Sequence, residues 1–303
     1  HFMIKKLPFR KIRAINDPSV IKYIKEIYKK NNSLYKSLDD ENVHDDFLKE
    51  YKKWIKSSKL NKLKNLDKYK FACYSNGSSQ VFDYFYAKYK NRRFRVFKGE
   101  YFYHHLSWRN HFPSWSYLKD LNIKKNDALI ISLPFSDSGS KHPKMEQLIK
   151  ICDKKNIPVL IDCCYFSMCK GINFDFNHKS IKVISFSLSK AFPVSRLRIG
   201  MRLTREDDDD PLFFLNKLGL VNRNSSFIGL KLIKKFNFDY IYKKYEKFQK
   251  HYCAKMQLIP SNVVTLGIGG KKWIQYNRGG TRNRLCLSSL YEKKKMTLIF
   301  MYY

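Results

Sequence analysis

The chain has 303 residues, 44% of them hydrophobic, and a formal net charge of +34. That length accommodates one large domain with a smaller companion, and no apolar run approaches the ~18 residues that a membrane-spanning helix needs. The seven cysteines are odd in number and show no paired CxxC spacing, so no metal site is expected, and reduced thiols in a cytoplasmic compartment fit the pattern.

The first residues, His1-Phe2-Met3, lack the basic-then-apolar pattern of a signal peptide. The lysines are spread along the chain beside abundant Asn, Ile and Tyr, which reads as a compositional bias giving a solvated basic surface. Attraction to nucleic acid, an anionic membrane or an anionic substrate is the alternative. The acidic run from Glu206 to Asp210 reads as a loop rather than a metal site.

In chain order, Asp17-Pro18 has the form of an N-cap and first helical residue. Val20, Ile21, Ile24, Ile27 and Tyr28 follow at helical spacing. A second amphipathic helix carries Phe47, Leu48, Tyr51, Trp54 and Ile55, so residues 1–65 are expected to form an N-terminal helical arm. A strand is predicted from Lys70 to Tyr74, then a Ser/Gly-rich turn and a helix with Val81, Phe82, Phe85, Tyr86 and Tyr89. Further strands are predicted at Phe94–Phe97, Ala128–Leu133, Pro158–Asp162, Ile181–Ser187 and Ile199–Leu203, with a helix from Lys144 to Lys154.

Strands alternating with helices predict an α/β fold, a mostly parallel sheet covered on both faces, over residues 66–205. In such sheets ligands sit at the carboxyl ends of the strands. Residues 206–303 are expected to form a small α+β lobe, with a helix from Phe238 to Gln257 and strands at Asn262–Leu266 and Arg284–Ser288.

The polar residues that end these strands carry the chemistry. Lys190 follows a strand end, where partial desolvation favours a neutral, nucleophilic amine. Ser187 and Ser189 precede it, and Arg198 can neutralise a phosphate through two bonds; an ordinary basic loop is the competing reading. Asp162 ends an apolar strand, where a carboxylate is costly unless paired. Asn76-Gly77-Ser78-Ser79 opens a helix, whose free amides suit a phosphate; a plain capped helix start fits as well. His104-His105 lacks further ligand spacing and reads as surface or pocket rim. Gly267-Ile268-Gly269-Gly270-Lys271 lacks the pattern of a P-loop.

Ser187-x-x-Lys190 followed by Arg198-x-Gly200 resembles the cofactor-lysine signature of class I and II aminotransferases, enzymes dependent on pyridoxal 5'-phosphate. The resemblance extends to Asp162-x-x-Tyr165 and to the turn Gly77-Ser78-Ser79. It implies the three-layer fold type I large domain, with Lys190 forming the internal aldimine and then moving protons at the substrate carbon. Asp162 would pair with the ring nitrogen and Tyr165 would donate to the ring oxygen, while Gly77, Ser78, Ser79, Ser187, Ser189 and Arg198 would form the phosphate cup. Tyr101, with Tyr103 as rival, would stack on the ring; with 16% aromatics, a core role competes.

Pro134-Phe135-Ser136-Asp137-Ser138-Gly139 is similar to the family's Asn-Pro-x-Gly turn, with Ser136 at the asparagine's place. That contact is then lost, bridged by water or taken over by Asp137. Arg284, with Arg282 as rival, would clamp the substrate carboxylate; a surface strand arginine is the competing reading.

The resemblance implies an aminotransferase acting on an amino acid and a 2-oxo acid, in a homodimer to which Tyr35 contributes across the interface. Decarboxylation, elimination or side-chain replacement on the same fold is the second reading. A non-enzymatic nucleic-acid-binding protein is a third, which Lys190 and Asp162 oppose.

Overall fold

A computed structural model describes residues 9–104, 114–207 and 209–292. Its centre is a seven-stranded sheet in the order β2-β9-β8-β6-β5-β3-β4. The strands are β2 (Phe71–Asn76), β3 (Arg93–Val96), β4 (Trp115–Tyr117), β5 (Asp127–Ser132), β6 (Val159–Asp162), β8 (Ile181–Ser187) and β9 (Ile199–Thr204). Strand β9 runs antiparallel to both of its neighbours, and the pairings from β8 through β4 are parallel.

Burial on both faces explains the unbroken apolar runs of β5 and β6. Ala128, Ile130, Leu160 and Val183 pack under Val81, Phe82, Phe85 and Tyr86 of helix α4 (Gly77–Lys88). The alternate residues Leu129, Ile131, Ile161 and Ile184 face the larger core, which includes Met145, Leu148 and Ile149 of helix α5 (Met145–Lys155). The α/β fold with a mainly parallel sheet is thus as the sequence predicts.

At the N-terminus, Asp17 caps α1 (Pro18–Lys29), accepting from the amides of Ser19 at 2.9 Å and Val20 at 3.0 Å. It also accepts from the Tyr245 hydroxyl at 2.7 Å and pairs with Lys244 at 2.6 Å. A short helix α2 (Asn31–Asp39), not anticipated from sequence, precedes α3 (Val43–Lys56).

These helices do not stand apart. Gly229 of α7 (Arg223–Lys235) lacks the Cβ that would meet Phe47 at 2.7 Å, so α3 lies close against α7. Trp54 Nε1 donates to Phe236 O at 2.7 Å. The acidic run is a loop, as read: Asp210 caps α6 (Pro211–Lys217) and pairs with Arg202, while Asp208 lies outside the described residues.

The C-terminal part contains α8 (Tyr240–Met256) and an antiparallel sheet of β10 (Leu258–Pro260), β11 (Leu266–Gly269) and β12 (Asn283–Cys286). A two-stranded parallel pair, β1 (Lys62–Lys64) with β7 (Asn173–Asp175), lies elsewhere.

The single strand expected at Asn262–Leu266 is replaced by a turn between β10 and β11. Its cause is a buried amide: Gln249 Nε2 donates to the carbonyls of Ser261, Val263 and Leu266 at 2.8–3.0 Å. Val263 and Val264 are buried, but their backbone is satisfied within a turn and not by a regular ladder: Val263 N donates to Ser261 Oγ at 3.0 Å, Val264 N to Met168 O at 2.9 Å, and Gln249 of α8 reaches the Val263 carbonyl. Among the described residues all seven cysteines are free and no group of His, Cys, Asp and Glu could hold a metal. No described helix is long and apolar enough to cross a membrane.

Candidate active site

The carboxyl ends of β2, β5, β6 and β8 and the start of β9 surround one cleft. It is lined by Ser78, Ser79, Tyr101, Ser136, Asp162, Tyr165, Ser187, Ser189, Lys190 and Arg198, among others. Ten residues expected from sequence to form a site therefore meet, drawn from five separate stretches of chain.

One wall is the turn from β2 into α4. Gly77 has φ +71°, and a Cβ there would meet Arg198 Nη2 at 2.3 Å. The bare turn admits the guanidinium onto the helix start, where Arg198 donates to Ser79 Oγ at 2.9 Å and to Ser195 O at 3.1 Å. Arg198 itself adopts φ +56°, a conformation uncommon outside glycine.

Gly200 completes the arrangement. A Cβ there would meet Ser75 Oγ at 2.8 Å and Gly77 Cα at 2.9 Å, so β9 can lie against the turn only without a side chain. Ser78 Oγ is buried with no hydrogen-bond partner, the Cys164 thiol beside it. Ser187 and Ser189 bond to each other at 2.8 Å.

Asp162 ends β6, is 5% exposed and accepts from the Cys164 amide at 3.1 Å. Burial raises its pKa to about 7, although the Cys164 amide and the Lys190 charge pull the other way. A second carboxyl, Glu100, was not singled out from sequence. It is 1% exposed and accepts from Ser132 N at 2.8 Å and Ser132 Oγ at 2.5 Å. Ser132 is registered beside Asp162 on the neighbouring strand. Burial pushes Glu100 to about 7 as well, and Asp162 adds to the rise. The available signal was an acidic residue just past a buried strand.

Lys190 Nζ donates to Ile12 O at 2.9 Å. Ile12 belongs to an N-terminal segment fastened to the C-terminal part: Cys286 N donates to Phe9 O at 2.7 Å, and Arg13 pairs with Glu292 at 2.6 Å. Tyr165 is largely buried at the cleft. Of the two aromatic candidates, Tyr101 lines the cleft and is 42% exposed, whereas the Tyr103 hydroxyl donates to Asp83 at 2.7 Å.

Ser136 lies buried in the cleft, and Arg284 of β12 donates to its carbonyl and, at 3.1 Å, to its Oγ. Asp137 is not among the residues that line this cleft. Its Oδ2 accepts from the amides of Thr281 at 2.8 Å and Arg282 at 3.2 Å, fixing the loop before β12. Arg282 lines a different cleft, where His142 stacks on Phe97 at 4.0 Å.

His104 is no surface residue: it is fully buried, its Nδ1 2.5 Å from the Tyr86 hydroxyl. His105 lies outside the described residues. Tyr35, on α2, is 76% exposed and does not line the cleft of its own chain.

The fold resembles solved structures of known enzymes. An aromatic aminotransferase from Pyrococcus horikoshii OT3 is 13% identical, with 95% of this chain and 92% of that one covered at TM-score 0.63. An aminotransferase from Staphylococcus aureus is 11% identical over 93% and 90%, at 0.63. An L-threonine-O-3-phosphate decarboxylase from Porphyromonas gingivalis is 15% identical over 74% and 84%, at 0.54.

At such identities the likeness shows the fold alone. No curated protein sequence matches the chain. The sequence model for aminotransferase class I and II matches residues 14–228, a stretch that holds Gly77, Asp162, Tyr165, Lys190 and Arg198. The chain belongs to the class I and II aminotransferase family.

Proposed function

We propose that this protein is a pyridoxal-phosphate-dependent aminotransferase that moves the amino group of an amino acid to a 2-oxo acid. The observation that carries the reading is the joining of Lys190, Asp162 and Arg198 in one cleft. Members of the family depend on pyridoxal phosphate, and the residues here fit that group. The glycine turn, the unpartnered Ser78 hydroxyl and Arg198 at the start of α4 offer a phosphate an anion site of amides, hydroxyls and charge. Asp162 offers a buried carboxylate to a protonated ring nitrogen. The bound cofactor supplies an electron-accepting ring that stabilises negative charge at the substrate α-carbon.

This chain's residues do the rest. Lys190 would hold the cofactor through its amine, and that amine, when free, would be the base placed to move the substrate's α-proton. Asp162 would keep the ring nitrogen charged, Tyr165 would donate to the ring oxygen and Tyr101 would cover the ring. Ser187 and Ser189 complete the phosphate cup, and Arg284 anchors the substrate carboxylate, oriented by Ser136. In a homodimer, the exposed Tyr35 would reach the neighbouring subunit's cleft.

The test is the visible spectrum with added pyridoxal phosphate, wild type beside Lys190→Ala. A cofactor band in the wild type alone, bleached by an amino acid and restored by a 2-oxo acid, is expected. No band in either protein sinks the reading. A second reaction on the same fold is favoured by Ser136 at the asparagine's place and by the likeness to a decarboxylase. Carbon dioxide release, or product without any 2-oxo acid, would establish it instead.

A further inference from the structure

A second cleft lies beside the first at the carboxyl end of the large sheet. Residues just past β3, β4 and β5 meet the loop before β12 around a cavity of about 530 Å³, a size that suits a small-molecule ligand. The two clefts share one wall, the turn after β5: Ser136 lines the first and Asp137 the second.

Four cations line the second cleft, Lys98, Lys119, Lys144 and Arg282, against two carboxyls, Asp120 and Asp137. Lys144 pairs with Asp120. Among the described residues the side chains of Lys98, Lys119 and Arg282 have no ion pair or hydrogen bond, and Lys98 Nζ rests 5.5 Å over the ring of Tyr117. Flat rings line the same space: Phe97 stacks on His142 with centroids 4.0 Å apart, and Phe135 meets both edge-on. Burial, then the charge of Lys144, pulls the His142 pKa down to about 4, so its ring is neutral at neutral pH. Its Nδ1 accepts from Lys144 N at 3.2 Å, which puts the ring proton on Nε2 as a donor.

Asp137 supplies the acceptor. It is 1% exposed; Oδ2 holds the amides of Thr281 and Arg282, while Oδ1 is buried with no hydrogen-bond partner. A Cβ at Gly99 would meet its Cγ at 2.6 Å, so the carboxyl is seated against a bare turn. A buried acceptor without a donor costs stability until one reaches it. The lining thus calls for three things at once: negative charge, a flat ring and an N–H donor. A phosphate monoester carries a charge of about −2 near neutral pH, and a nucleotide joins it to a ring bearing N–H groups.

We propose that this cleft is a second ligand site, for a nucleoside monophosphate whose base carries an exocyclic amine. The phosphate takes Lys98, Lys119 and Arg282, the base lies against the aromatic wall, and the amine donates to Asp137 Oδ1. One free carboxylate oxygen matches one amine. The site does not depend on the aminotransferase reading. Asp137 follows Ser136 and holds the loop that leads to Arg284, so a bound nucleotide stiffens the wall that the two clefts share.

The test is calorimetry on the full chain in about 0.15 M salt, with and without pyridoxal phosphate. Adenosine 5'-monophosphate is expected to bind about ten-fold tighter than inorganic phosphate, adenosine or inosine 5'-monophosphate, which lacks the amine. Pyridoxal phosphate should not displace it. Lys119→Gln with Arg282→Gln should weaken it about ten-fold, towards the affinity of adenosine, with the thermal melt unchanged because both side chains are exposed. Four results overturn the proposal: binding no tighter than that of inorganic phosphate, equal binding of the inosine nucleotide, displacement by pyridoxal phosphate, or an affinity that survives the double variant.

Discussion

Asp162→Asn separates the cost of a buried carboxylate from its use. In the protein without cofactor, burial raises the Asp162 pKa from 3.8 to about 7. A carboxyl whose folded pKa is raised contributes stability below its unfolded pKa and loses it as pH rises through the folded value. The window is therefore about pH 4 to 7. About three units at ~1.4 kcal/mol each give a cost on the order of 4 kcal/mol above pH 7.

Asparagine is nearly isosteric, can still accept from the Cys164 amide and carries no charge. Without cofactor, the variant should match the wild type near pH 4 and exceed it by up to about 4 kcal/mol at pH 8.5. That corresponds to about 8 °C in melting temperature at about 2 °C per kcal/mol. Urea unfolding at pH 5, 6, 7 and 8.5 measures the difference. With saturating pyridoxal phosphate the order should reverse, because a ring cation would pair with Asp162 and has no counter-charge in the variant. A stability difference that does not change with pH, or a wild type more stable than the variant at pH 8.5 without cofactor, would refute the reasoning.

Gly200→Ala should push β9 from the Gly77 turn, since the new Cβ meets backbone at 2.9 Å. A loss of about 1–3 kcal/mol in stability is expected with weaker cofactor affinity, read by urea unfolding and spectral titration. Asp17→Ala removes both the cap of α1 and the partner of Lys244. Lys244 keeps 28% of its side chain exposed and its bond to Tyr240, so the loss is that of the cap and its buried bonds, about 1–3 kcal/mol, and a thermal melt reads it. Burial alone would raise the Asp17 pKa, but bonds from Lys244, Tyr245 and the Val20 amide hold it below the usual range. Its stabilisation should fade as pH falls through that lowered value, so wild type and Asp17→Ala should converge in acid. Arg284→Gln should raise KM for the amino acid by about 10²-fold or more while the cofactor band stays, which steady-state kinetics beside a spectrum would test.

The alternation of apolar faces, the Asp17-Pro18 start and the spacing of Asp162, Tyr165, Lys190, Arg198 and Gly200 were legible in the sequence because each is local. A strand pattern, a helix cap or a turn glycine expresses constraints within a few residues, and the family's motifs are made of such pieces. What lay beyond local reading depends on contacts between distant segments. Gln249 turns Asn262–Leu266 out of a strand by binding three of the carbonyls around it. Asp137 is tied to Thr281 and Arg282. Glu100 becomes a second buried carboxyl beside Asp162 only because β3 and β6 flank β5 in the sheet. Ile12 meets Lys190 across the length of the large sheet domain's sequence. The sequence by itself determined which residues could do the chemistry. The tertiary structure alone decided which charges share one cleft, because burial and long-range proximity, not residue type, set the cost of a charge.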